Sequence, residues 1–168
     1  AVESQRRATH ARDSGWFDGS VVPVRDKNGL LILERDDFIK PDTSMEILGG
    51  LRPSFEMMGN MAFDEIILRK YNTLDSISHV HTPGNSSGIV DGASAVLIGS
   101  EKAGKDLNLT PRGRILAGSI LASDPVIMLA GPGPAAMKCL KTAGLTADDI
   151  DLWEINEAFA SVAMRYMK

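Results

Sequence analysis

A chain of 168 residues, 43% hydrophobic and 24% charged, can bury one good core or parts of two, an ordinary make-up for a globular protein. A formal net charge of −4 argues against general nucleic-acid binding, which rests on a positive field. No apolar stretch reaches the roughly 18–20 residues that span a bilayer. The single cysteine, Cys139, excludes an internal disulfide and fits a reducing compartment, and the charged opening residues lack the apolar segment of a secretory signal.

Val2, Gln5, Arg6, Thr9 and Arg12 fall at helical spacing, so a helix is expected up to the stop at Ser14-Gly15. Residues 20–24 and 30–33 are short β-like runs around the Lys27-Asn28-Gly29 turn and predict a small hairpin. A charged connection over 36–41 follows. Asp42-Thr43-Ser44 offers N-cap residues for a short helix through Leu48, stopped by Gly49-Gly50. Met61, Ile66, Ile67 and Tyr71 predict a helix over 61–70.

From Thr82 the residues become small, and a tight loop is expected to run into a buried strand at 95–98. Helices are predicted over 101–108, 133–144 and 157–167, strands over 114–122 and 151–155, and a short capped turn over 146–149. Strand–helix alternation after residue 90 argues for a layered α/β sheet, and the less regular residues 1–81 for an inserted or covering domain. The chain opens inside one expected helix and stops inside another, so a piece of a larger protein is expected.

Asn156-Glu157-Ala158-Phe159-Ala160 stands at an expected strand-to-helix junction, where ligands collect in open α/β folds. An Asn there can donate and accept hydrogen bonds without titrating, and so can hold a water or a carbonyl oxygen at any working pH. It is also a favoured N-cap for the helix behind it. Gly131-Pro132-Gly133-Pro134-Ala135-Ala136 fits G-x-G-x-x-A after an apolar run, with Asp151 further on. Pro132 and Pro134 argue against a dinucleotide there, because each removes an N–H that would cradle pyrophosphate.

Cys139, among Ala136, Met137, Leu140 and Ala143, reads as a buried core thiol. His79 and His81 alternate on an extended stretch and point the same way. With no third ligand evident they read as surface or supporting residues rather than a metal site. The loop 84–92 would let a ligand approach the main chain and meet the hydroxyls of Ser86 and Ser87, although a tight structural turn has the same composition. Asp91 reads as its organiser.

Gly84-Asn85-Ser86-Ser87-Gly88-Ile89-Val90-Asp91-Gly92-Ala93, with Asn156-Glu157-Ala158-Phe159 later in the chain, closely resembles the thiolase family of acetyl-CoA acetyltransferases and 3-ketoacyl-CoA thiolases. Ser4-Gln5, Val22-Pro23-Val24, Leu51-Arg52-Pro53-Ser54-Phe55, Ser123-Asp124-Pro125-Val126-Ile127-Met128 and Ala143-Gly144-Leu145-Thr146 stand in thiolase order. The resemblance implies an α/β thiolase fold, layered α/β/α/β/α and present in part. Residues 1–89 would be most of the inserted loop domain that covers coenzyme A, 90–110 the return to the N-terminal half, and 111–168 the start of the C-terminal half.

The activity implied is acyl transfer through an acyl-cysteine, by thiolytic cleavage of 3-ketoacyl-CoA or by Claisen condensation. Coenzyme A or acyl-CoA would be substrate, with no tightly bound cofactor and no metal. A homodimer or homotetramer in a bacterial cytoplasm or another reducing compartment is implied. The alternative is a non-catalytic thiolase-like carrier of lipid or acyl-CoA. By the same resemblance Asn156 holds an oxyanion-hole water and Ser87 hydrogen-bonds the pantetheine arm. Pro83 and Ile89 line its tunnel, Phe55 packs along it, Lys40 meets the phosphates, and Phe159 lines the acyl pocket.

Two departures stand out. The stretch 56–81 is longer than in the simplest bacterial biosynthetic thiolases and is expected to shape the acyl entrance or a subunit contact. The family's nucleophilic cysteine, its Gly-His-Pro histidine and its second cysteine have no match here. The chain alone is therefore expected to be inactive.

Overall fold

The computed structural model describes all 168 residues. It divides into two units, Ala1–Gly88 with Ala158–Ala160, and Ile89–Glu157 with Ser161–Lys168.

In the first unit the helix α1 (Val2–Asp13) ends as its sequence predicts, with Gly15 at φ 72° turning the chain away. Both carboxylate oxygens of Glu3 are engaged, one by Nη2 of Arg6 and Nε of Arg7, the other by Nε of Arg6, all at 2.7 Å. Those hydrogen bonds, Arg6 first and Arg7 second, pull the Glu3 pKa down to about 2. A depressed folded pKa means that the pairing is fully present above the ordinary carboxylate range and is lost as pH falls through about 2. Carboxyl NMR should show Glu3 titrating near that value; a midpoint at 4.5, the reference value, would refute the pairing. The group is exposed, so the effect is local to α1.

The hairpin forms between β1 (Val24–Arg25) and β2 (Leu31–Leu33), antiparallel, with Val24 opposite Leu33 and Arg25 opposite Leu31. It is shorter than expected, because the N–H groups of Ser20 and Val21 are taken by Phe17 O, in the turn that follows α1. Asp26 builds the tip, its side chain accepting from the N–H groups of Asn28 and Leu30, while Gly29 takes φ 85°. The short helix α2 (Met45–Gly49) is capped by Ser44, whose side chain accepts from Ile47 N.

The helix expected over 61–70 starts earlier and contains a distortion. α3 (Glu56–Met58), a π-helical turn (Gly59–Phe63) and α4 (Asp64–Lys70) run on without a break. Buried Gly59 accounts for the packing there: a Cβ would stand 2.5 Å from both Asp64 Oδ1 and His79 Cε1. His79 Nε2 and Asp64 Oδ2 lie 2.8 Å apart beside it, so His79 ties α4 to the chain entering the loop at Thr82.

In the second unit the helices follow their signals. α5 (Glu101–Asp106) is capped by Ser100, and α6 (Pro132–Ala143) starts on proline and ends at Gly144 in the left-handed conformation. A 3₁₀ turn at Ala147–Asp149 carries a complete capping box from Thr146, and α7 (Ala160–Tyr166), which spans both units, closes the chain. Burial here falls on Leu140 of α6 and Val162 of α7, and Trp153 meets Tyr166 edge-on at 5.4 Å. That burial raises the Tyr166 phenol pKa.

The strands expected at 95–98, 114–122 and 151–155 do not form; these segments have no regular secondary structure. A strand is defined by the ladder it makes with a neighbour, and the only sheet is the β1–β2 hairpin. Val96, Leu97, Ile98, Ile115, Leu116, Ile120 and Leu152 are accordingly exposed, against the buried strand expected at 95–98. The 114–122 segment is held by side chains instead, with Ser119 Oγ donating to Ala135 O and Lys138 Nζ to Ile120 O. The accessible surface is 14324 Å², against about 8,100 Å² for a self-contained monomer of this mass. Part of that excess is the apolar side chains of these segments, which stay open to solvent.

Candidate active site

The loop after Thr82 is built by Asn85. Its Oδ1 accepts from Thr82 N and its Nδ2 donates to Val80 O, both at 2.8 Å, so one side chain clamps the backbone on either side of His81. Ser86 Oγ donates to Thr82 O at 2.6 Å, which takes up that hydroxyl inside the loop and leaves Ser87 as the exposed serine. Thr82, at 7% exposure, is the buried centre. Asp91, expected to organise the loop, is exposed and does not do so; Asn85 does, because its amide both donates and accepts.

Two glycines stand in close approach to side chains. A Cβ on Gly84 would run into Leu48 Cδ2 and stand 2.7 Å from Leu51 Cδ1, and a Cβ on Gly88 would enter the Phe38 ring. Gly84→Ala should therefore push both leucine ends outward and lower stability by about 1–2 kcal/mol in denaturant unfolding. An unchanged midpoint would mean that the leucines rearrange without cost.

A short antiparallel bridge then brings Ala158, Phe159 and Ala160 onto this loop. Ser86 pairs with Phe159, Ser87 N donates to Ala158 O, and Ala160 N donates to Asn85 O, the last two at 2.9 Å. This pairing is why α7 begins at Ala160 and not at Glu157 as expected. It also overturns the N-cap reading of Asn156, which lies outside the helix and is exposed.

Three rings meet at the bridge. His81 and Phe159 are 4.7 Å apart between centroids, Phe55 and Phe159 6.0 Å, and Phe55 and His81 6.4 Å, all edge-to-face. Ser54 N donates to His81 O at 2.7 Å, which fixes the neighbour of Phe55 to the backbone of the histidine. The structure thus brings together Phe55 and Phe159 and ties Ser87 to the residue before Phe159, while Pro83 stands in the same loop; Phe55, Pro83 and Ser87 are exposed to solvent.

Lys40 belongs to the same unit and adjoins the loop through Phe38, the ring that packs on Gly88. Its backbone N–H donates to Gln5 Oε1, and its ammonium lies 5.6 Å from the Phe38 ring centroid. Ile89 and Asn156 fall in the other unit, both exposed. Cys139 is half-buried on α6 and not a core thiol as expected. No three His, Cys, Asp or Glu side chains are grouped to hold a metal ion. No helix is long and apolar enough to cross a membrane.

Sequence reasoning missed His81 as a packing partner, since its two ring neighbours lie far from it in the chain. It also missed Met128, which takes φ 52° in the left-handed region. Asp124 O accepts from Met128 N, and Ser123 Oγ donates to Met128 O, so a short hydrogen-bonded turn enforces that conformation.

Residues 1–66 match the family model "Thiolase, N-terminal domain" and residues 109–168 match "Thiolase, C-terminal domain". An acetyl-CoA acetyltransferase of Thiocystis violacea is 40% identical over 167 residues, covering 98% of this chain and 37% of that protein. A 3-ketoacyl-CoA thiolase of Marinobacter nauticus is 39% identical over 170 residues, covering 99% of this chain and 39% of its own length. Human mitochondrial 3-ketoacyl-CoA thiolase in complex with CoA superposes with a TM-score of 0.79 at 37% identity, over 99% of this chain and 36% of that one. The chain thus spans under two-fifths of the length of the relatives it matches, and its fold is part of the thiolase fold. With the loop at 84–93, the Asn-Glu-Ala-Phe segment bridged to it and both domain models in order, the chain belongs to the thiolase family.

Proposed function

We propose that this chain is the coenzyme A-covering and oxyanion-stabilising portion of an acyltransferase that cleaves 3-ketoacyl-CoA, or condenses acyl-CoA, through an acyl-cysteine. The observation that carries this reading is the bridge that ties Phe159, edge-to-face with Phe55, to the loop carrying the exposed Pro83 and Ser87. An aromatic and small-residue wall with one free-facing hydroxyl suits a pantetheine arm, which is apolar along its length and carries amides. Phe55, Pro83 and Ile89 line that arm, Ser87 hydrogen-bonds it, Phe159 faces the acyl group, and Lys40 attracts the phosphates.

Asn156 holds the water that donates to the thioester oxygen as negative charge develops on it. A neutral amide suits this role, because it is oriented before the charge appears. Cys139 sits on α6 among the residues of that helix, and the acyl-bearing cysteine is supplied from outside these residues. Residues 1–89 act as the loop domain of a layered α/β/α/β/α fold, with 90–110 and 111–168 contributing to its two halves. The exposed apolar segments at 95–98, 114–122 and 151–155 supply strands to sheets whose other strands come from the rest of the protein. Assembly as a homodimer or homotetramer, in a bacterial cytoplasm or another reducing compartment, fits this reading.

The test is coenzyme A-dependent thiolysis of acetoacetyl-CoA by the complete protein that contains this segment. Acetyl-CoA formation is expected from the complete protein and none from the 168 residues alone. A folded complete protein that binds acyl-CoA but turns over none of several chain lengths would replace the enzyme by a carrier.

A further inference from the structure

His81 stands where several of the tethers that build the ring cluster meet. Its carbonyl accepts from Ser54 N, next to Phe55, and its flanking backbone groups at Val80 and Thr82 are clamped by Asn85. Asn85 O in turn accepts from Ala160 N, next to Phe159. The imidazole is the ring closest to Phe159, at 4.7 Å, and also meets Phe55 edge-on at 6.4 Å. The two phenylalanines lie 6.0 Å apart, so the histidine closes a triangle of rings that neither phenylalanine could complete alone.

We propose that His81 is a positioning residue that sets the acyl-chain preference of the enzyme by fixing Phe159 against Phe55. The inference rests on the thiolase reading above, which places Phe159 at the acyl group and Phe55 at the pantetheine. With the imidazole in place, Phe159 keeps one edge-to-face orientation and the acyl pocket keeps one depth. A small side chain at 81 leaves a ring-sized void into which Phe159 can turn, and the pocket deepens. Longer acyl chains then gain room, while a two-carbon acyl group loses its wall. The contacts with Phe159 and Phe55 are ring edge to ring face, so phenylalanine, which keeps a ring at 81, should substitute for histidine in this positioning.

The experiment compares wild type, His81→Ala, His81→Leu and His81→Phe in the complete protein. It measures kcat/KM for thiolysis of acetoacetyl-CoA and of 3-ketohexadecanoyl-CoA. The ratio of long to short substrate should rise at least fivefold in His81→Ala and by a smaller factor in His81→Leu, and return to within twofold of wild type in His81→Phe. Should His81→Ala fail to fold, the leucine and phenylalanine variants carry the comparison. Active variants with an unmoved ratio would overturn the positioning role alone. A shift shared by His81→Phe would also overturn it, in favour of a polar role. A folded wild type that cleaves neither substrate would overturn the thiolase reading and this role with it.

Discussion

Replacing Asn156 by alanine in the complete protein is expected, on the proposed oxyanion-hole role, to lower kcat by about 10²–10³-fold, with KM for acyl-CoA changed little. The asymmetry follows from where the charge is. A ground-state thioester oxygen is nearly neutral and asks little of a donor, while the enolate oxygen formed in the reaction is anionic. Losing a pre-oriented donor there removes about 2.7–4 kcal/mol of stabilisation from the transition state only. Asn156→Asp should do no better near neutral pH, since a carboxylate adds a negative charge beside a developing one. The fold makes the experiment discriminating. Were Asn156 a helix N-cap, alanine would lower stability by about 0.5–2 kcal/mol and leave turnover intact. Because α7 begins at Ala160, four positions on, melting should be unchanged. A variant with lowered melting temperature and normal kcat would return Asn156 to a structural role.

The parts of the fold that local chemistry decides were legible. Ser44 caps the helix it precedes, Gly15 turns the chain out of α1, and Gly29 turns the chain at the hairpin tip. Each of these acts within a few residues of itself, where spacing and side-chain type carry the information. The strands were not, because Ala95, Ile115 and Leu152 have strand-like sequence but a ladder needs a second strand at hydrogen-bonding distance. The π-helical turn was equally hidden, since it depends on Gly59 admitting His79 and Asp64, which meet only in the fold.

The candidate site divides in the same way. Ser87, Phe159 and Asn156 were chosen from motifs, and Phe159 does meet the loop through a bridge that no local rule foresees. His81 was read as a surface or supporting residue, and the rings it supports were hidden for the same physical reason. An alternating histidine on an extended stretch looks like a surface residue until the segments carrying Phe55 and Phe159 arrive beside it.

Asn85→Ala is expected to have the largest effect on stability of any single change in the loop, and to weaken coenzyme A binding at the same time. The alanine leaves Thr82 N without its acceptor and Val80 O without its donor, and Thr82 is at the buried centre. Unpaired backbone groups cost about 1–3 kcal/mol each when shielded from water. Partial solvent access at Val80 places the sum at about 2–3 kcal/mol. Asn85→Asp separates the two bonds, because a carboxylate still accepts from Thr82 N but meets Val80 O with repulsion. It should therefore recover less than half of the loss. The functional consequence follows from the backbone of the same residue, whose carbonyl receives Ala160 N and so anchors the bridge that carries Phe159. A loosened loop should raise KM for acyl-CoA severalfold while kcat at saturation falls less, the opposite split from Asn156→Ala. Denaturant unfolding and steady-state kinetics on the complete protein give both numbers. An Asn85→Ala variant with wild-type midpoint and KM would mean that Ser86 and the bridge hold the loop without the amide clamp.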